Sequence, residues 1–218
     1  MRYQDKTFQQ RESELLDAAR ELFQTQPWDR VTIAEVARQA GIGKGTVYKH
    51  FPSKEALYAR LVLDRSRLHL SALTAAAEKG TAIDALRRAL RLAFDQLLAD
   101  PLHAQLCLQC DRPAFQARLE PEYRAEFCAL EGQYLELFNR LLHSSFADLQ
   151  LAPSDCEQLL WGVEACVNGV MARIASGGFD NWPEPFDLKL YFDRVTDFAL
   201  AGLQGQAAAL GARNSHGE

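Results

Sequence analysis

Thr32-Ile33-Ala34-Glu35-Val36-Ala37-Arg38-Gln39-Ala40-Gly41-Ile42 runs directly into Gly43-Lys44-Gly45-Thr46-Val47-Tyr48-Lys49-His50-Phe51. Thr32 and Glu35 stand three apart, the spacing of a capping box in which each side chain satisfies a free backbone amide of the other residue. The helix so opened turns Ile33, Val36 and Ala37 inward and meets Gly41, a natural left-handed stop. A second short helix follows almost at once and ends before Pro52, which lacks the amide that would continue it. Two short helices joined by a glycine turn predict a helix-turn-helix.

Working outward, Leu15, Ala18, Ala19, Leu22 and Phe23 recur at helical spacing and give an opening helix, interrupted at Gln26-Pro27-Trp28-Asp29. Ser53 is placed to cap a long helix through Leu57, Leu61 and Leu68. Beyond residue 80 the period stays helical. Ile83, Leu86, Leu90, Phe94, Leu97 and Leu98 form one stripe, and Phe127, Leu130, Tyr134, Leu137, Leu141 and Leu142 another. Ser154-Asp155-Cys156-Glu157 reads as a second capping box, and a last helix carries Leu190, Phe198 and Leu203. No strand alternation competes, so the expected fold is all-α. The division expected is residues 1–67, helix-turn-helix; 68–210, a larger helical domain; 211–218, a flexible tail.

The 218 residues hold 24 basic and 29 acidic side chains, a net of −5, which by itself argues against a nonspecific nucleic-acid coat. The charge is unevenly spread. Residues 1–67 carry 12 basic and 9 acidic side chains, residues 68–218 carry 12 and 20, and within 38–67 the balance is 7 to 2. A basic reader on an acidic body confines nucleic-acid attraction to one face. The polar N-terminus and the lack of a long uncharged apolar run predict neither a secretory signal nor a membrane span, hence a cytoplasmic protein. No Ser/His/Asp order, phosphate loop or carboxylate pair points to an enzyme, and no cofactor is expected.

The chemistry of the short second helix is that of a groove reader. Gly43 and Gly45 keep its leading end slim, Lys44 and Lys49 bring charge, and Thr46 and Tyr48 bring hydroxyl donors. Val47 and Phe51 point back to the core, and Lys54 can reach a flanking phosphate.

The block Val31–Leu63, with Leu15–Phe23 before it, resembles the DNA-binding domain of the TetR family of bacterial transcriptional regulators. The resemblance covers nearly all of residues 11–65; the remainder matches only in being helical. It implies phosphate contacts by Thr46, Tyr48, His50 and Lys54, and sequence readout around Lys44, Gly45 and Lys49. Thr32 caps its helix and is placed to touch a phosphate too. Ala34 departs from members with a longer polar side chain, so base reading from the preceding helix is not expected.

The resemblance further implies a homodimeric repressor of a palindromic double-stranded operator, released by a small-molecule effector. The dimer contact is expected from helices near 154–176 and 187–205. Pocket candidates are Phe94, Phe127, Tyr134, Trp161, Glu164, Asn168 and Met171. An architectural or division-control protein without an inducer is the alternative. A lesser one is a thiol or metal sensor built on His103, Cys107 and Cys110, which share a helix face; no four-ligand metal site is visible.

Overall fold

The computed structural model describes residues 3–180, 182 and 185–215, and these form ten α-helices and no strand. In order they are α1 (Tyr3–Thr25), α2 (Ile33–Gln39), α3 (Lys44–His50), α4 (Lys54–Ala77), α5 (Ala82–Ala99), α6 (Pro101–Cys110), α7 (Pro113–Gln116), α8 (Pro121–Ser145), α9 (Pro153–Ala175) and α10 (Leu188–Ser215). No described helix is long and apolar enough to cross a membrane. Two compact units emerge: residues 1–65 with 106–127, and residues 66–105 with 128–218.

The first unit is built on α1 to α3 and the start of α4. Leu15, Ala19, Phe23, Val36, Val47, Phe51, Leu57 and Tyr58 are buried together, so the apolar stripes expected from spacing form its core. Gly41 has φ +67°, and the Ile42 amide donates to the Ala37 carbonyl at 2.9 Å, closing α2 as a left-handed C-cap. Ser53 caps α4 by accepting from the Ala56 amide at 3.0 Å. Leu68, however, is 63% exposed: the buried face of α4 there runs through Ser66, His69, Leu70 and Leu73 instead. Helix α1 begins at Tyr3, well before the first residue of its apolar stripe.

The second unit packs α5, α9 and α10 around Leu86, Leu90, Phe94, Leu159, Val170, Ile174, Phe192 and Leu203. Phe94 and Phe192 stack at 5.8 Å, while Arg91 pairs with Asp193 and Asp95 and Arg87 with Asp197. At the start of α9 the cap differs from the Ser154-to-Glu157 expectation. Pro153 already occupies the first turn, so Ala152 is the capping position and Asp155 reaches back to its amide at 3.0 Å. Residues 211–215, expected as tail, continue α10; residues 216–218 lie outside those described. Buried Gly211 sits close against Leu149, and the Asn214 amide donates to Asp155 at 3.0 Å, which anchors that end.

Candidate nucleic-acid interface

Helix α3 is oriented first by its buried side. Val47 and Phe51 are fully buried, so the opposite side of a seven-residue helix must face outward. That outer side presents Lys44, Gly45, Tyr48 and Lys49, all exposed, with Thr46 and His50 half-buried at its edges. Tyr48 is 46% exposed, so it is no core aromatic, and the Lys44 ammonium lies 5.8 Å from its ring centre. A Cβ added at Gly43 or Gly45 would meet nothing within 4 Å. Neither glycine is demanded by the chain's own packing, and both leave backbone open for close approach by a ligand.

The cap at Thr32 is complete. Its hydroxyl accepts from the Glu35 amide at 3.2 Å, and Glu35 Oε2 accepts from the Thr32 amide at 2.8 Å and hydroxyl at 2.9 Å. The backbone and hydroxyl hydrogen bonds from Thr32 hold the Glu35 carboxyl below its ordinary range. Gln39 donates to Glu21 at 2.7 Å and ties α2 to α1.

Two aromatic contacts, not foreseen from spacing, brace the edges of α3 and α4. Phe8 stacks on His50 with ring centres 4.0 Å apart. Burial lowers the His50 pKa, with Glu12 opposing and Arg11 adding to the effect, so the imidazole is held neutral. The Lys54 ammonium lies 4.6 Å from the Trp28 ring centre and donates to the Asp29 carbonyl at 3.2 Å. Burial lowers its pKa, against the pull of Glu55 and Asp29. Trp28 sits behind Pro27 in what spacing marks only as an interruption, and Phe8 precedes the apolar stripe, so neither carried a periodic signal.

The pocket candidates divide between core and solvent. Phe94 is enclosed against Phe192, Met171 is buried, and the Tyr134 hydroxyl donates to the Ser66 carbonyl at 2.8 Å. Phe127, half-buried, falls in the same compact unit as the helix-turn-helix. Trp161, Glu164 and Asn168 lie exposed on one face of α9, with Trp161 at 65%. None of the seven lines the groove of about 810 Å³ along α4 and α8, whose walls include Glu78, Leu135, Glu136, Arg140 and His143.

His103, Cys107 and Cys110 all lie on α6, with the His103 ring against His69 and its Nε2 3.3 Å from the Ser66 hydroxyl. Among the described residues no group of three or more His, Cys, Asp or Glu could hold a metal ion. Burial pushes the Cys110 thiol far above its ordinary value, the opposite of what a reactive thiolate requires.

A short helix with an amine- and hydroxyl-bearing outer face, seated on two fully buried side chains behind a capped helix, defines a helix-turn-helix protein. Residues 15–61 match the family model described as bacterial regulatory proteins, tetR family. The HTH-type transcriptional regulator AlkX of Mycobacterium tuberculosis is 35% identical over 104 residues, 45% of this chain and 48% of that protein. The nucleoid occlusion factor SlmA of a Marinomonas species is 33% identical over 52 residues, 24% of this chain and 26% of SlmA. The chain thus spans about half of the one relative's length and about a quarter of the other's. In fold it is similar to the transcriptional regulator FadR of Bacillus subtilis in complex with stearoyl-CoA, with TM-score 0.68 and 18% identity over 87% of this chain and 98% of FadR. Residues 15–61 thus carry the N-terminal domain that marks bacterial regulatory proteins of the tetR family.

Proposed function

We propose that the protein is a sequence-specific DNA-binding transcriptional regulator, acting as a homodimeric repressor that a small-molecule effector releases from its operator. The observation that carries this reading is the outer face of α3, where Lys44, Tyr48 and Lys49 stand exposed over buried Val47 and Phe51. Thr46, Tyr48, His50 and Lys54 serve as phosphate contacts, and Lys44, Gly45 and Lys49 read base edges. Thr32 contributes chiefly through its cap.

The dimer forms through α9 and α10. Support comes from Trp161, Leu190 and Phe198, large apolar side chains left exposed on those helices; Phe198 is 79% exposed. Glu164 and Asn168 share the exposed face of α9 and form a polar part of that contact. The effector binds in the helical unit. The groove along α4 and α8 falls in the size range of small-molecule sites. The stearoyl-CoA complex of FadR makes an acyl thioester a first ligand to try.

The test uses the full chain and duplexes it selects from a randomised pool. Tyr48→Ala is expected to weaken binding to the selected duplex by about 1–3 kcal/mol at one fixed salt, with the oligomeric state unchanged. Equal affinity of wild type and variant sinks the assignment of α3. The similarity to SlmA favours a second reading, a DNA-binding factor with dispersed chromosomal sites and no inducer. Mapping bound sites across a genome separates the two: a few promoter-proximal sites against many scattered ones.

A further inference from the structure

Residues 106–127 belong to the same compact unit as the helix-turn-helix, and their deepest side chain is Phe115 of α7, fully buried. Phe115 meets Tyr58 at 5.2 Å and Trp28 at 5.7 Å between ring centres, and Trp28 meets Tyr58 at 5.3 Å. The three rings close a triangle in which each limits the tilt of the other two, and edge-on contacts of this kind have preferred angles. On Trp28 rests the Lys54 ammonium, 4.6 Å from the ring centre and bonded to the Asp29 carbonyl. An ammonium has three donors, so these contacts leave it free to meet a phosphate as well.

The segment is clamped where it enters this arrangement. Arg60 donates to both carboxylate oxygens of Glu126, at 3.0 and 2.9 Å, and lies over Tyr123. Arg118 pairs with Glu55, the residue after Lys54, at 3.3 Å. The Gln116 side chain donates to the Cys110 carbonyl at 2.7 Å, which holds α7 to the end of α6.

We propose that Phe115 and Trp28 are positioning residues for DNA contact by Lys54: Phe115 fixes the plane of Trp28, and the face of Trp28 fixes the ammonium. This rests on the DNA-binding reading above. It gives residues 106–127 a direct hold on affinity, because any shift of α7 tilts the ring beneath a phosphate-binding lysine.

Counting phosphate contacts tests it. The full chain is titrated with its pool-selected duplex, and the slope of log K against log salt is measured. Lys54→Gln is expected to shrink that slope by about 0.9 per half-site, the loss of one phosphate contact each. Trp28→Leu is expected to do the same, and to add nothing in the Lys54→Gln background. Trp28→Phe, which keeps an aromatic face, restores the slope. Phe115→Leu, close in volume, is expected to give a partial loss that also vanishes in that background.

A second measurement needs no DNA. In the free chain the Lys54 side-chain protons are expected to be ring-current shifted by Trp28, 4.6 Å away, and Phe115→Leu is expected to change that shift while near-ultraviolet dichroism shows a folded protein. If Lys54→Gln lowers the slope but Trp28→Leu and Phe115→Leu do not, or if the Lys54 shift ignores Phe115→Leu, the positioning role is overturned. An unchanged slope in Lys54→Gln overturns the phosphate contact itself, and the inference with it.

Discussion

The two compact units expose opposite chemistries. The helix-turn-helix unit turns outward a helix of lysines and hydroxyl groups and keeps Val47 and Phe51 wholly inside. The larger helical unit does the reverse along α9 and α10, where Trp161, Leu190 and Phe198 face out and Phe192, Leu159 and Leu203 hold the interior. Polar donors on a rigid apolar seat suit a polyanion, whose contacts exchange with water and counterions. Large exposed apolar side chains suit another protein surface, where burial supplies the drive. Net charge differs in the same sense, +1 for residues 1–65 with 106–127 (14 basic, 13 acidic) and −6 for residues 66–105 with 128–218 (10 and 16).

The largest effect should come from breaking the apolar face. Trp161→Glu with Phe198→Glu is expected to convert the proposed dimer to monomer in sedimentation, and to lower DNA affinity by about 100-fold or more as two linked contacts become independent. If mass and affinity both hold, the comparison of faces fails. A smaller effect is expected where α2 begins. Thr32→Ala removes a cap worth about 1 kcal/mol, and a denaturant titration should show the midpoint moving down with its slope unchanged. A stability within error of wild type would mean that Glu35 caps the helix unaided.

The subtlest test concerns His50. Its folded pKa lies below the ordinary value, so its neutral form favours the fold above that value, and the benefit is lost as pH falls through the folded pKa. A nearby phosphate reverses the preference and raises the pKa. Affinity for DNA is therefore expected to rise a few-fold between pH 7.5 and 6, and His50→Gln should flatten that dependence. An equally steep profile in the variant would remove His50 from the contact set.

The helix-turn-helix was legible because its signals are local: a capping box, a glycine stop, and two apolar residues four apart at Val47 and Phe51. The bracing of Lys54 was not. Phe115 lies 87 positions from Trp28, in a four-residue helix too short to show a period, and only the folded chain brings the rings together. Phe198 misleads for a related reason. Its place with Leu190 and Leu203 fits the apolar pattern of the last helix, yet the described fold buries Leu203 and leaves Leu190 and Phe198 exposed, since period alone does not say which apolar side chains of a helix meet its own core.

The discontinuity of the first unit bears on how the protein is made. Residues 1–65 emerge from the ribosome first, yet Phe115 and Glu126, which complete their packing, follow only after residues 66–105. At about 5–20 residues per second, synthesis from 66 to 127 takes roughly 3–12 seconds. Until Phe115 is made, Trp28 and Tyr58 lack the ring that closes over them, and until Glu126 is made Arg60 lacks its bidentate partner. The finished reader is a late product of synthesis: a chain truncated before residue 115 carries the recognition helix without the support beneath its flanking lysine.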